Sequence, residues 1–430
     1  MVGKQSKRSN SGCKQAPNLE TDMEWNTRST ILIIVLLFLI VYFLFFQNKK
    51  KELLLSLFSV GLTLLAIEIV LRLFSPQLNE HDKMFEVDPN LGWKFIANKK
   101  GNIIFFEEVS HFIEINSNGF RDNPPLSEGD PSKKILVLGD SYVSNISVES
   151  NEVFTEVLQD RLQNTEVLNF GVNGYGQVQE YLQLQEWYSE INPDLLIVMI
   201  YIRNDFIDNI DGKWLYPRPY ASLNENNLTI HPTTTSKKKS SGNWRIYRKS
   251  HLYNLLRRKI ISLKSKSSHL SPLKIESAYY TPPESYLCDL ESMESTTSMF
   301  RTMEKLLLKF SSYANEKNVP IVFALAPSIF QVEDEYWSYI NNDDSISTHY
   351  SRSLPNDRLM EFAKNNQLEM IDLLPVLRAE TKKGKALYFP NEQHWTAEGN
   401  KVVARSLFNY LDNRNLIKAN LKGKKGSVNF

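Results

Sequence analysis

Apolar and polar positions along the chain follow three rhythms. Residues 31–46 are uninterrupted hydrocarbon and aromatic, and residues 53–74 repeat that texture with Glu68 and Arg72 as the only charges. Both stretches predict membrane helices. At ~1.5 Å per residue the second crosses a hydrocarbon layer of ~30 Å, and the first reaches that length by drawing on Thr30 and Gln47. Only residues 47–52 separate them, so the pattern predicts a transmembrane helical hairpin with both chain ends on one side. Lys49, Lys50 and Lys51 favour a cytoplasmic loop and an extracytoplasmic C-terminal region, against the pull of Lys4, Lys7, Arg8, Lys14 and Arg28 in the tail. A removable signal peptide fits less well, because the first run starts some thirty residues in and a second follows at once. Glu68 stands four residues before Arg72, the helical spacing for an ion pair, and reads as a snorkelling couple near the helix end.

The second rhythm is short alternation. From Pro76 to Pro131, stretches such as Asn102-Ile-Ile-Phe-Phe106 and His111-Phe-Ile-Glu-Ile115 are broken by Asn118-Gly119 and Asn123-Pro124-Pro125, which predicts a strand-rich stalk or accessory segment. The third is strand then helix, repeated, with apolar runs at 135–138, 167–170, 195–202, 321–326 and 370–374. This predicts an α/β fold whose parallel sheet is covered on both faces and carries its chemistry at the C-terminal strand ends. The domains are then a polar tail at 1–29, two membrane helices at 30–74, the stalk at 75–132 and a catalytic domain at 133–430. About ninety residues, roughly 207–296, exceed an ordinary crossover and read as an insertion. Within it, residues 226–274 hold no acid but twelve Lys and Arg, and Leu252, Leu255, Leu256, Ile260 and Leu263 recur at helical spacing. That basic amphipathic pattern suits anionic lipid or an anionic glycan, or a solvated helix packed on its own domain.

Fifty Lys and Arg against 49 Asp and Glu leave no global excess to draw nucleic acid. Cys13 and Cys288 are too far apart in sequence, and too unlike in surroundings, for a disulfide framework or thiolate metal site. No His-Glu-x-x-His and no tight histidine cluster occurs, so a zinc hydrolase is disfavoured and no metal or other cofactor is implied.

Candidate chemistry gathers at the strand ends. The first run closes on Lys133-Lys-Ile-Leu-Val-Leu-Gly139-Asp140-Ser141, where a turn or helix start aims N–H groups at anything attached to the serine oxygen. The second ends in Asn169-Phe-Gly171-Val-Asn173-Gly174-Tyr-Gly176, whose glycine order and position do not match a dinucleotide fingerprint. The third ends in Tyr201-Ile-Arg203-Asn204-Asp205. Phe389-Pro-Asn391-Glu392-Gln-His394-Trp-Thr396 leads into a helix over 397–411, with Thr396 as N-cap.

Serine, glycine, asparagine and histidine in this order at four junctions resemble the SGNH (GDSL-type) hydrolases over roughly residues 133–412. The resemblance implies a flavodoxin-like three-layer α/β/α sandwich with Ser141 as nucleophile, His394 as base and Ser141, Gly174 and Asn204 forming the oxyanion hole. Two positions depart from the family pattern: Ile202 stands where many members have glycine, and Asn391 where the usual aspartate precedes the histidine. Glu392-Gln-His394-Trp-Thr396 is instead similar to an Asp-x-His-Trp-Thr variant in alginate O-acetyltransferase-type members. Glu392 is therefore the expected orienter, with Asp372 or no carboxylate as alternatives.

The implied activity is a membrane-anchored serine esterase acting on O-acyl, chiefly O-acetyl, esters of envelope carbohydrate. Its alternatives are a carbohydrate O-acyltransferase using the same residues, a lipase reaching a lipid ester, and a catalytically dead glycan-binding protein. Expected partners are membrane lipid, through two helices, and the acylated substrate.

Overall fold

The structure is a computed structural model, and it describes residues 37, 40, 51–77, 84–105, 109–121, 133–162, 164–212, 217–225, 227–233, 250–257, 259, 284–290, 294–341 and 350–417. It divides into two compact units, Met1–Ile67 and Glu68–Phe430. Helix α1 (Lys51–Phe74) is continuous, and its stretch Leu54–Phe74 is long and apolar enough to cross a membrane, with none of its most apolar window buried. This is the one such helix among the described residues; nearly all of the first expected span, and the loop before Lys51, lie outside them. Of the hairpin expected from the two apolar runs, the described residues contain only the second helix in full.

Four short strands follow: β1 (Phe85–Asp88), β2 (Gly92–Phe95), β3 (Lys100–Phe105) and β4 (Val109–Glu114), paired antiparallel as β1–β2 and β3–β4. The α/β region then runs β5 (Lys133–Gly139), α2 (Ser141–Ser144), α3 (Phe154–Gln159), β6 (Thr165–Gly171), α4 (Gln177–Ile191), β7 (Leu195–Ile202) and α5 (Asp205–Asp208). A hairpin of β8 (Tyr220–Asn224) and β9 (Asn227–His231) and helix α6 (Glu284–Leu287) belong to the expected insertion, in which residues 251–257 are also helical. The chain closes with α7 (Glu294–Lys317), β10 (Ile321–Pro327), α8 (Ile329–Val332), α9 (Asp334–Asn341), α10 (Leu354–Asn365), β11 (Glu369–Asp372), α11 (Leu374–Thr381) and α12 (Ala397–Asn413).

All five apolar runs become strands of one parallel sheet, ordered β11-β10-β7-β5-β6. Their burial explains the near-continuous hydrophobicity, since a strand covered on both faces cannot alternate apolar with polar. In β7, Leu196, Val198, Ile200 and Ile202 enter one hydrophobic cluster, while Leu195, Ile197, Met199 and Tyr201 enter another on the opposite face. The first cluster is closed by α4, α7 and α10 through Leu184, Phe310 and Leu359; the second by α3, α11 and α12 through Phe154, Leu377 and Leu407.

The β1–β4 region shares the first cluster: Trp93, Phe95, Ile103 and Phe120 pack with Phe170 and Tyr175. Trp93 Nε1 donates to Asn173 O (3.0 Å), and Tyr175 Oη donates back to Trp93 O (2.5 Å). Buried Arg121 reaches the carbonyls of Ser144 (3.0 Å), Asn145 and Val148, so the loop after α2 is held from this region. The order of the sheet reverses between β5 and β7, and open α/β sheets bind ligands outside the strand ends at such a switch point.

Candidate active site

Ser141 opens α2 directly after β5, and Asp140 caps that turn by accepting Tyr142 N–H at 2.8 Å. The turn lies close against β6, because a Cβ at Gly171 would stand 2.2 Å from Ser144 N. Any side chain there would push the serine turn off the sheet.

His394 Nε2 lies 2.7 Å from Ser141 Oγ, and its Nδ1 lies 2.5 Å from Glu392 Oε1. A carboxylate only accepts, so Nδ1 carries the proton and Nε2 offers its lone pair to the serine hydroxyl. Two residues apart in an extended chain, a carboxylate and an imidazole share a side but lie too far along it to meet so closely. Gln393 resolves this by adopting a left-handed conformation, φ +66°. It is fastened on three sides: its N–H donates to Phe389 O (2.8 Å), its carbonyl accepts Tyr142 Oη (2.7 Å) and its side-chain oxygen accepts Arg203.

Ser147 Oγ donates to Glu392 Oε1 (2.5 Å), and the His394 N–H donates to Glu392 Oε2 (3.1 Å). Glu392 is buried, whereas the His394 side chain keeps 22% exposure. Burial pulls the imidazole down, but the charge and hydrogen bond of Glu392, with the Asp140 carboxylate, outweigh it and hold His394 above its ordinary value. Burial also pushes Asp140 up to about 6, against the Tyr142 N–H and His394. Asp372, the alternative orienter, is engaged elsewhere, accepting Asn356 Nδ2 (2.6 Å) and Leu374 N–H (3.0 Å) on Oδ1.

Gly174 and Asn204 form a second group. Gly174 lies in the turn after β6 at φ +77°, a conformation that glycine adopts without Cβ strain. Asn204 caps α5 after β7, and its Nδ2 donates to Asp208 Oδ2 (2.7 Å), with a longer contact to Asp205 Oδ1 (3.5 Å). Buried Arg218 ties the two together: it pairs with Asp208 Oδ1 (2.7 Å), donates to Gly174 O (3.4 Å) and donates to Asp211 O (2.7 Å). Burial raises Asp208 although Arg218 and Asn204 pull it down. Neither Gly174 nor Asn204 is hydrogen-bonded to Ser141 among the described residues.

The structure thus joins Ser141, His394 and Glu392 in one chain of contacts and joins Gly174 to Asn204 through an ion pair. Ser147, Gln393, Asp208, Arg218 and Arg121 went unread in the sequence. Ser147, Gln393, Arg218 and Arg121 act through contacts between segments distant in the chain, which no spacing rule marks, whereas Asp208 stands four residues after Asn204, a helical spacing that could have marked it. Among the described residues no cluster of His, Cys, Asp and Glu is arranged to hold a metal ion.

Residues 289–426 match the family described as SGNH hydrolase-like domain, acetyltransferase AlgX, a stretch that includes Glu392 and His394 but begins after Ser141, Gly174 and Asn204. No curated protein matches the chain. Among solved structures, a member of the lipolytic protein G-D-S-L family from Veillonella parvula is 13% identical, covers 64% of this chain and 96% of its own, and has a TM-score of 0.35. The acetyl xylan esterase AlAXEase is 12% identical over 64% of this chain and 98% of its own (TM-score 0.35). A catalytic mutant of an acetylxylan esterase from Geobacillus stearothermophilus is 12% identical over 66% and 96% (TM-score 0.32). Residues 289–426 are thus similar to an SGNH hydrolase-like domain, and the Ser141, His394 and Glu392 contacts have the arrangement that such a hydrolase or acetyltransferase would use.

Proposed function

We propose that this protein is a membrane-anchored serine enzyme that acts on O-acetyl esters of envelope carbohydrate through an acyl-serine. The observation that carries the reading is His394 set between Ser141 and Glu392, with its acceptor nitrogen on the hydroxyl. His394 Nε2 takes the proton as Ser141 Oγ attacks the ester carbonyl carbon, and returns it to the departing sugar oxygen when the tetrahedral adduct collapses. A water or a sugar hydroxyl, deprotonated by the same nitrogen, then attacks the acyl-serine and frees Ser141.

The oxyanion is held by the Ser141 and Gly174 N–H groups and by the Asn204 amide hydrogen that Asp208 does not take. One such donor supplies ~3 kcal/mol in the transition state. With Glu392 seated on Nδ1, Asn391 no longer argues for a catalytically dead protein. Partial exposure of His394 leaves its ring open to an acceptor, water in an esterase or a sugar hydroxyl in a transferase. The family match over residues 289–426 favours acetyl transfer as the second reading. The apolar stretch Leu54–Phe74 supports the anchor, and the lysine-rich loop before it supports a catalytic domain outside the cytoplasm.

Incubating the protein with O-acetylated polysaccharide, and separately with an acetyl donor and bare glycan, tests the reading by mass analysis of both glycans. Loss of acetyl in the first marks an esterase and gain in the second a transferase. No change in either, together with no fluorophosphonate labelling of Ser141, refutes the proposal.

A further inference from the structure

Glu68 is the one acid in the apolar stretch Leu54–Phe74, roughly 9 Å short of the helix end at ~1.5 Å per residue. A carboxylate in that position is costly unless its charge is met. Arg72 Nε meets one oxygen at 2.8 Å, as the spacing predicts. The remaining partners come from the insertion: Ser250 Oγ (2.9 Å), His251 N–H (3.0 Å) and Leu252 N–H (2.8 Å) all donate to the Glu68 carboxylate. These backbone N–H groups open the helical turn 251–257, where intrahelical acceptors are missing. The turn is fixed a second time by buried Gln77, whose N–H donates to His251 Nδ1 (2.8 Å) and whose carbonyl accepts Asn254 Nδ2 (3.3 Å).

The start of the basic segment is therefore fastened to the end of the apolar helix. Leu73 and Phe74 are 70% and 80% exposed there, and within the fastened turn Tyr253 and Leu256 are 39% and 54% exposed. Exposed Lys259 follows, with Arg257 half-buried one turn after Tyr253. Exposed apolar side chains followed by cations, at the end of a membrane-crossing helix, have the chemistry of a bilayer interface, where rings and leucines enter the acyl boundary and cations meet phosphates.

We infer that residues 250–259 form a second membrane contact on anionic phospholipid, held at the depth of the helix end by the Glu68 carboxylate. Tyr253 and Leu256 enter the acyl boundary, and Arg257 and Lys259 lie at lipid phosphates. The inference rests on the proposed membrane anchoring of this chain.

The test uses the full chain with Cys13→Ser, carrying an environment-sensitive fluorophore at Leu256→Cys, Leu64→Cys or Lys401→Cys, reconstituted into vesicles containing shallow doxyl-labelled phospholipid. With about 30% phosphatidylglycerol, the probe at 256 is quenched while that at 401 is not, and replacing the anionic lipid by phosphatidylcholine weakens quenching at 256 by about two-fold. Glu68→Ala lowers quenching at 256 and leaves the probe at 64 quenched. A probe at 256 as unquenched as that at 401, beside a quenched probe at 64, overturns the inference and leaves the anchor standing. Equal quenching at 256 without anionic lipid overturns the phosphate contact. An unquenched probe at 64 removes the anchor itself and this inference with it.

Discussion

The two halves of the site are built on opposite plans. On the His394 side, the reacting groups touch one another, from Ser141 through His394 and Glu392 to Ser147. On the Gly174 and Asn204 side the groups assigned to the oxyanion never touch the nucleophile; they are set by Asp208 and Arg218 beneath them. Contact chemistry tolerates little change in residue type, because a proton must pass along the line. A cradle needs only position, and a buried ion pair supplies rigidity without meeting the substrate. The difference teaches that losses on the first side fall on proton transfer and its pH dependence, whereas losses on the second fall on kcat at every pH.

The largest effect expected is from Ser141→Ala or His394→Ala. Each lowers kcat on an acetyl ester by about 10⁴-fold or more, and Ser141→Ala also ends fluorophosphonate labelling, as intact-mass spectra will record. Glu392→Gln comes next, with a loss on the order of 10³–10⁴-fold in kcat/KM. It also moves the pH profile. The base works only when neutral, and Glu392 holds His394 above its ordinary value, so the acidic limb of wild type lies above that value. Removing the carboxylate charge shifts that limb to lower pH. A limb that stays in place or rises would break the contact reading of this side.

Asn204→Ala is expected to cost about 10²–10³-fold in kcat with KM little changed and no shift of the acidic limb. Arg218→Met leaves the buried Asp208 unpaired, a loss of ~3–5 kcal/mol of stability by thermal unfolding. Pairing it with Asp208→Asn restores much of the folding but not the cradle. The double variant should remain about 10-fold low in kcat, and full activity in it would show that the ion pair serves stability alone. The smallest effect belongs to Ser147→Ala. Loss of one hydrogen bond to a charged carboxylate, ~1.5–3 kcal/mol if fully expressed, is predicted to lower kcat/KM about 10-fold and to act through His394, so the acidic limb moves with it.

The inner strands β5, β7 and β10 were legible because they are buried on both faces, and double burial leaves a run of apolar residues that no other constraint interrupts; the edge strand β11 is only partly buried. Ser141 and His394 were legible because their types, order and strand-end positions are local. Thr396 likewise caps its helix by accepting Gly399 N–H, as its place before residue 397 foretold. Glu392 was the expected orienter, with Asp372 or no carboxylate as alternatives. That the Glu392 carboxylate reaches the His394 ring depends on a left-handed Gln393, a backbone state that Tyr142 and Arg203 hold from distant parts of the chain. Region 75–132 read as a stalk or accessory segment, since local alternation says which face of a strand is apolar but not what covers it; Trp93, Phe95 and Phe120 share a hydrophobic cluster with residues of the sheet.

By itself, then, the amino-acid order marked the apolar runs of the sheet, where strands give way to turns, and which serine and histidine stand at those turns, because burial period and turn chemistry are short-range properties. Only the folded chain decided that a glutamate two residues from the histidine reaches its ring, that an arginine in the insertion links Gly174 to Asn204, and that Glu68 fastens the basic segment. Each of these is a hydrogen bond between groups whose separation along the chain, or whose backbone state, only tertiary packing can fix.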